Sequence, residues 1–357
     1  MKIAIFGLPF SGKTTVFNCL TRDFGHEEER GGSISRLKAK VRSSLAVVKV
    51  PDERVDKLRE IYKPRKTTYA EIVFEDISTP EDRVSSAVLD AHGATCIRNA
   101  DVAAIVLRNF LSPLLDAPPD PVRDFTSLED EFLLADLGIV ERRLDRLVRE
   151  RSAGVERKTL EKCIKHLEEG YPLRILELTR NEMESIKGYG LLTLKKLLVL
   201  VNTSEDAPMD IPEDLAEAVF VRGSAAMSLC GSLEAEIANL SPEEADDFLK
   251  DLGVEQSGRE RFIRHAFKTL GLISFLTTGE DECRAWPVTA GTSAHQAASV
   301  IHSDIQRGFI RAEVLSFEDF MANGGSEKKA KAAGRYRLEG KDYIVRDGDI
   351  ISFRFNV

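Results

Sequence analysis

Eight residues near the start of this 357-residue chain restrict its fold more than any other feature. Gly7-Leu8-Pro9-Phe10-Ser11-Gly12-Lys13-Thr14 fits the phosphate-loop pattern G-x-x-x-x-G-K-[ST] without a gap. The flanks fit as well. Lys2–Phe6 is an apolar run of buried-strand type, and after the loop Val16, Phe17 and Leu20 recur at helical spacing. In such a turn Gly7 and Gly12 allow backbone angles closed to other residues, so amide N–H groups can face phosphate oxygens. Lys13 brings positive charge to the β and γ phosphates, Thr14 offers a hydroxyl to Mg²⁺, and the helix start through Thr15 adds a favourable dipole. The pattern predicts that Gly7–Thr15 hold a nucleoside triphosphate.

Alternating apolar strands and helical spacers predict an α/β fold with a mainly parallel sheet. Tyr69–Asp76 reads as a strand ending in Asp76, the candidate carboxylate for Mg²⁺ through water. Val102–Leu107 and Leu197–Val201 are further buried strands, the second running into Asn202-Thr203-Ser204-Glu205. Pro113, Pro118, Pro119 and Pro121 precede a long helical pattern over Ser127–Arg151; Gly154 interrupts it, and Arg157–Glu169 supplies a second, charged helix. After Gly271 the pattern shifts to short strands: Leu272–Leu276, Cys283–Val288, Ile310–Val314, Tyr343–Val345 and Ile350–Phe355, with a helix over His295–Ile305. Asp347-Gly348 marks a turn before the last strand.

A net charge of −9 argues against a generally basic nucleic-acid binder and leaves room for local patches such as Lys328, Lys329, Lys331, Arg335, Arg337 and Lys341. The five cysteines lie far apart without metal-ligand spacing, and His295 and His302 read as structural rather than ligating. Reduced thiols, no signal-like start and no bilayer-length apolar run make a cytoplasmic protein without membrane contact the expectation.

From end to end the chain resembles the YchF/Obg-like ATPase family. The resemblance rests on GLPFSGKTTVFNCLT at the start, VPDERVDKL at Val50–Leu58, DPVRD at Asp120–Asp124, LADL at Leu134–Leu137 and HLEEG at His166–Gly170. It is densest at the end, in RAWPVTAGTSAHQAASVIHSDIQRGFIRAEV and LEGKDYIVRDGDIISFRFNV. It implies a G-like nucleotide domain (1–118 and 189–270), an inserted helical hairpin arm (119–188) and a ubiquitin-like TGS domain of β-grasp type (271–357). It further implies a ribosome or rRNA contact through the arm or TGS domain, and a monomer is expected.

Base recognition follows from the same resemblance. GTP-using relatives carry Asn-Lys-x-Asp, whose Asp accepts from guanine N1–H. Here Asn202 and Glu205 match the Asn-x-x-Glu variant of the ATP-preferring branch, and Cys230-Gly231-Ser232 matches the later loop beside the base. ATP is therefore expected over GTP, with Mg²⁺. The hydrolytic parts depart from the family. Phe10 stands where Asn is usual, and Thr79-Pro80 follow Asp76 where a Gly amide is usual. Glu81–Ser86 replace a glycine-rich switch with its His, His92 lies further along as a packing or capping residue, and Glu27–Lys40 replace the usual first switch. Binding with slow or absent hydrolysis is the expectation, and no catalytic residue is assigned. A catalytically inactive, nucleotide-stabilised scaffold and an active GTPase are the alternatives.

Overall fold

In the computed structural model, residues 1–21, 43–77, 89–206, 209–254 and 256–356 are described. Contacts group them into two units, Met1–Val48 with Val73–Phe262, and Lys49–Ile72 with Ile263–Val357.

The first unit is built on a six-stranded sheet. Its strands lie in the order Ser43–Lys49, Glu71–Ile77, Lys2–Phe6, Val102–Asn109, Lys196–Thr203 and Ala225–Leu229. From Glu71–Ile77 to Ala225–Leu229 every neighbouring pair is parallel. Parallel strands are covered on both faces and so read as unbroken apolar runs. Val102–Leu107 is accordingly buried throughout. The α/β class with a mainly parallel sheet is thus observed.

The long helix spans Pro121–Arg149, starting six residues before the pattern suggested, with Pro121 in its first turn and Asp120 accepting from the Arg123 amide as N-cap. Its first turns belong to the sheet's core: Phe125, Leu128 and Phe132 are buried there, and Phe132 stacks on Phe6 at 5.2 Å. Its later turns pair with Val155–Glu168 through a separate cluster of Leu133, Val140, Leu147, Leu160 and Cys163. Buried charges pin this hairpin. Arg174 pairs with Glu129, and Asp136 accepts from the amides of Leu192 and Thr193 and from the Thr193 hydroxyl. By contacts the hairpin is part of the first unit, where the resemblance set it apart as 119–188.

The second unit is a six-stranded mixed sheet ordered Arg337–Glu339, Phe309–Ser316, Asp349–Phe355, Leu272–Thr277, Glu282–Thr289 and Lys66–Thr68. The last strand comes from the N-terminal third of the chain and pairs in parallel with Glu282–Thr289. Residues 49–72, placed by the sequence reading in the nucleotide domain, thus fold with the C-terminal residues. Helix Glu53–Tyr62 is tied at both ends. At its start Arg54 donates to Asp52 at 2.8 Å and to Asp347 at 2.9 Å. Burial works against the Arg54 charge, yet these carboxylates raise its pKa above the ordinary arginine value. Gly348, at φ 81°, leaves the space that Arg54 occupies. At its end Tyr62 donates to Glu327, which also accepts from Thr278 and Tyr336.

Two expectations need correction here. Tyr343–Val345 is not a strand; Ile344 makes an isolated bridge to Ser293, and the added strand is Arg337–Glu339. The helix expected over His295–Ile305 is two helices, Ala294–Ile301 and Ser303–Arg307. His302 breaks it by taking extended angles, and its Nδ1 then accepts from the Asp304 amide as a cap.

Replacing Arg54 by Met removes both carboxylate partners of a largely buried guanidinium. Amide exchange across Glu53–Tyr62 is expected to rise roughly tenfold or more, about 1.4 kcal/mol of local stability. Unchanged exchange would show that the clamp contributes nothing.

Candidate functional site

Strand Lys2–Phe6 ends in the turn that launches helix Lys13–Thr21. The turn is tight at two glycines. A Cβ on Gly7 would meet the Val106 carbonyl oxygen at 2.5 Å. Gly12 sits at φ 82°, and a Cβ there would run into the Asn202 amide nitrogen. Leu8 packs against the core, Pro9 and Phe10 are exposed, and Ser11 is buried. Lys13 is 8% exposed although charged, whereas Thr14 and Thr15 face solvent.

Phe10 holds φ 63° and is 40% exposed. A left-handed backbone costs an L-residue about 1–2 kcal/mol. Strain of this kind concentrates at functional turns.

Asp76, at the end of the neighbouring strand, meets the loop directly. Thr14 Oγ1 donates to Asp76 Oδ2 at 3.3 Å, while Asp76 Oδ1 is buried and has no hydrogen-bond partner among the described residues. Burial pushes the Asp76 carboxyl up from its ordinary value; the Lys13 charge and the Thr14 hydroxyl pull it back. A hydroxyl, an unsatisfied carboxylate oxygen and a buried ammonium beside them suit a divalent cation with phosphates.

Asn202 is the centre of the other side. Its Nδ2 donates to the Ser11 carbonyl at 3.1 Å, and its Oδ1 accepts from the Gly231 amide at 2.9 Å. One buried carboxamide therefore joins the phosphate loop to the loop at Cys230-Gly231-Ser232. Cys19, on the phosphate-loop helix, donates to the Gly231 carbonyl at 3.6 Å. Cys230 is buried, and its sulfur lies 3.1 Å from the Ser232 hydroxyl. Thr203 turns inward, 2% exposed, its hydroxyl donating to the Leu229 carbonyl, so it offers no stem to cover a base. Glu205 lies exposed in the following turn.

Two residues here escaped the sequence reading. Arg108 stands opposite Asn202 in the sheet and is 5% exposed. It donates to the carbonyls of Phe110, Ala117 and Pro118, fixing the proline-rich passage to the sheet edge. Phe110 sets its ring edge 3.9 Å from the position of a Gly12 Cβ. An arginine ending an apolar strand was the available signal, since such a group stays buried only if its donors are satisfied. His92 lies in the first turn of helix Ala91–Asn99, its Nε2 3.6 Å from Cys96 Sγ. Thr79-Pro80, Glu81–Ser86 and Glu27–Lys40 lie outside the described residues. Among the described residues no metal-holding group of His, Cys, Asp and Glu occurs, and His295 packs edge-on against Phe309.

Strand, glycine turn, helix, a facing carboxylate and an Asn-bridged second loop define the P-loop nucleotide-binding class. The comparisons narrow this. The family model YchF-GTPase_C, "Protein of unknown function (DUF933)", matches residues 272–356. The ribosome-binding ATPase YchF of Haemophilus ducreyi is 38% identical, the match covering 100% of this chain and 99% of that protein. That of Bacillus subtilis is 36% identical over 99% and 98%. The Schizosaccharomyces pombe YchF GTPase structure superposes with a TM-score of 0.86 at 29% identity, covering 99% of this chain and 97% of that one. A GTP-binding protein from Pyrococcus horikoshii OT3 shares the fold at a TM-score of 0.57 and 16% identity, with full coverage of both chains. The chain belongs to the YchF family.

Asn202→Ala deletes both bridges and leaves the buried Gly231 amide without its acceptor. Nucleotide affinity is expected to fall about tenfold to a hundredfold, with about 1–3 kcal/mol lost from stability. Titration calorimetry and urea unfolding read the two effects. Phe10→Gly should instead stabilise by about 1 kcal/mol in the same unfolding assay, since glycine accepts the left-handed angle freely.

Proposed function

We propose that this chain is a Mg²⁺-dependent, ATP-preferring P-loop switch protein that associates with the ribosome and hydrolyses nucleotide slowly or not at all. The observation that carries the nucleotide assignment is the Asn202 bridge between Ser11 and Gly231, set beside Thr14 and Asp76. Gly7–Thr15 would cradle the phosphates, with Lys13 neutralising their charge. Thr14 would ligate the cation and Asp76 would orient it through water, the cation supplying charge compensation between the phosphate oxygens.

The preference for ATP rests on what flanks Asn202. Thr203 is turned into the protein and Glu205 replaces the aspartate that guanine's N1–H would require. Names among the relatives include both ATPase and GTPase, and the residues flanking Asn202 are what favours ATP. The ribosome assignment comes from relatives named ribosome-binding. On this chain the cations suited to rRNA phosphates are exposed at Lys328, Lys329, Lys331, Arg335 and Lys341, and on the hairpin at Arg142, Arg146, Arg149 and Arg151. Arg337 of the same stretch is engaged instead with Asp349 and Tyr343.

Phe10 favours a second reading, a nucleotide-stabilised scaffold. An exposed aromatic ring on a strained loop residue supplies no polar group for a phosphoryl transition state.

Calorimetry with ATP and GTP, each with and without Mg²⁺, tests the assignment. ATP is expected to bind at least about tenfold tighter than GTP, with Asp76→Asn losing most of the Mg²⁺ enhancement. A preference for GTP overturns the base reading. Single-turnover hydrolysis separates switch from scaffold, and nucleotide-dependent co-sedimentation with ribosomes, weakening as salt rises, tests the partner.

A further inference from the structure

The second unit holds a cleft of about 520 Å³ that shares no residue with the nucleotide site. This lies within the span of about 300–1,000 Å³ usual for small-molecule sites. Its apolar lining is contributed by Val50, Ala70, Phe267, Leu272 and Ile273. Val50, Ala70 and Leu272 are themselves buried in the unit's packing, so these walls are held rather than collapsible.

The charged groups in the lining are not equivalent. Asp52 and Asp347 both grip Arg54, and Asp347 also accepts from the Ser274 amide at 2.8 Å. Asp52 further caps helix Glu53–Tyr62. These three are locked into the fold. Arg264 meets Glu53 at 3.3 Å, but the Glu53 side chain is 69% exposed, so the pair is a weak, exchangeable one. Lys268, exposed one turn further along the same helix, has no ion pair among the described residues. Asp52 and Asp347 are already paired with Arg54, while among the described residues Lys268 has no ion pair and Arg264 can leave its partner. A guanidinium and an ammonium one helical turn apart suit a carboxylate, which accepts several N–H bonds at once.

We propose that this cleft binds a small amphipathic carboxylate. Its apolar body lies against Val50, Ala70, Phe267, Leu272 and Ile273, and its head is held by Lys268 and by Arg264 released from Glu53.

Octanoate is a suitable probe, with octanol and octylamine as controls of equal length. Methyl-resolved NMR of the full chain reads occupancy at Val50, Leu272 and Ile273, and calorimetry reads affinity. Octanoate is expected to shift these methyl signals with a dissociation constant of about 1 mM or tighter, reasonable for a ligand of this size. Lys268→Gln, a surface change that leaves the fold intact, should weaken octanoate about fivefold or more and leave octanol unaffected. Ala70→Leu should abolish octanoate shifts by filling the cleft, with its fold checked by unchanged signals of second-unit residues away from the cleft, such as Val314 and Leu315. Absence of shifts at about 5 mM octanoate overturns the proposal. So does equal binding of octanol or octylamine, or octanoate binding insensitive to Lys268→Gln.

Discussion

A single buried carboxamide organises the nucleotide side of this protein. Asn202 gives its N–H to the Ser11 carbonyl and its oxygen to the Gly231 amide, so two loops 220 residues apart in sequence share one rigid spacer. Much of the local sequence follows from that spacer. Gly12 must lack a side chain because Asn202 occupies the space, and a Cβ on Gly231 would press on Asn202 Oδ1 at 3.0 Å. The parallel strand Lys196–Thr203 must run far enough to bring Asn202 level with Arg108. Arg108 in turn holds the passage that leads into the long helix. The phosphate-loop turn, the loop at Cys230-Gly231-Ser232 and the hairpin root are thereby referred to one strand end. Both partners of Asn202 are backbone groups, so removing the side chain leaves them buried and unpaired, which is what makes the position hard to replace.

The second unit depends on a comparable device. Helix Glu53–Tyr62 and strand Lys66–Thr68 lie in sequence between two strands of the nucleotide sheet, yet their partners are C-terminal. Arg54 at one end and Glu327 at the other fix this segment through side chains that a short helix could not satisfy alone. Its strand adds a sixth member to the sheet. A fragment ending near Gly271 would therefore expose Leu58, which is fully buried in the whole chain, and would leave Arg54 without Asp347. The C-terminal segment cannot be regarded as a module appended to an otherwise complete nucleotide domain.

That exchange marks the limit of what the sequence discloses. The phosphate loop was legible because its spacing dictates its geometry, and the strand Val102–Asn109 because burial on both faces leaves an unbroken apolar run. Asn202 was legible through the motif that follows its strand. The home of residues 49–72 was not, since periodicity identifies a helix and says nothing about which sheet it will join. The sixth strand, Lys66–Thr68, has three residues and too little pattern to register. His302 breaks a helix that periodicity alone runs through, because its ring can replace a backbone acceptor at the second helix's start. Arg108 was passed over for a related reason: its role consists of three backbone carbonyls that loop closure brings to it, and no spacing announces them.

Phe10 links these points to function. Five other residues of the phosphate loop have a local reason for their identity: space at Gly7 and Gly12, packing at Leu8, charge at Lys13, a hydroxyl at Thr14. Phe10 stands apart, for it holds a left-handed backbone and its ring is 40% exposed. Backbone strain of this kind concentrates where function compensates for it, here either bound nucleotide or a partner covering the loop. An aromatic ring is suited to being covered and unsuited to orienting water or a cation. The loop therefore combines phosphate-loop spacing with an exposed aromatic ring on a strained residue. That combination fits a protein whose bound nucleotide organises contacts more than it feeds turnover.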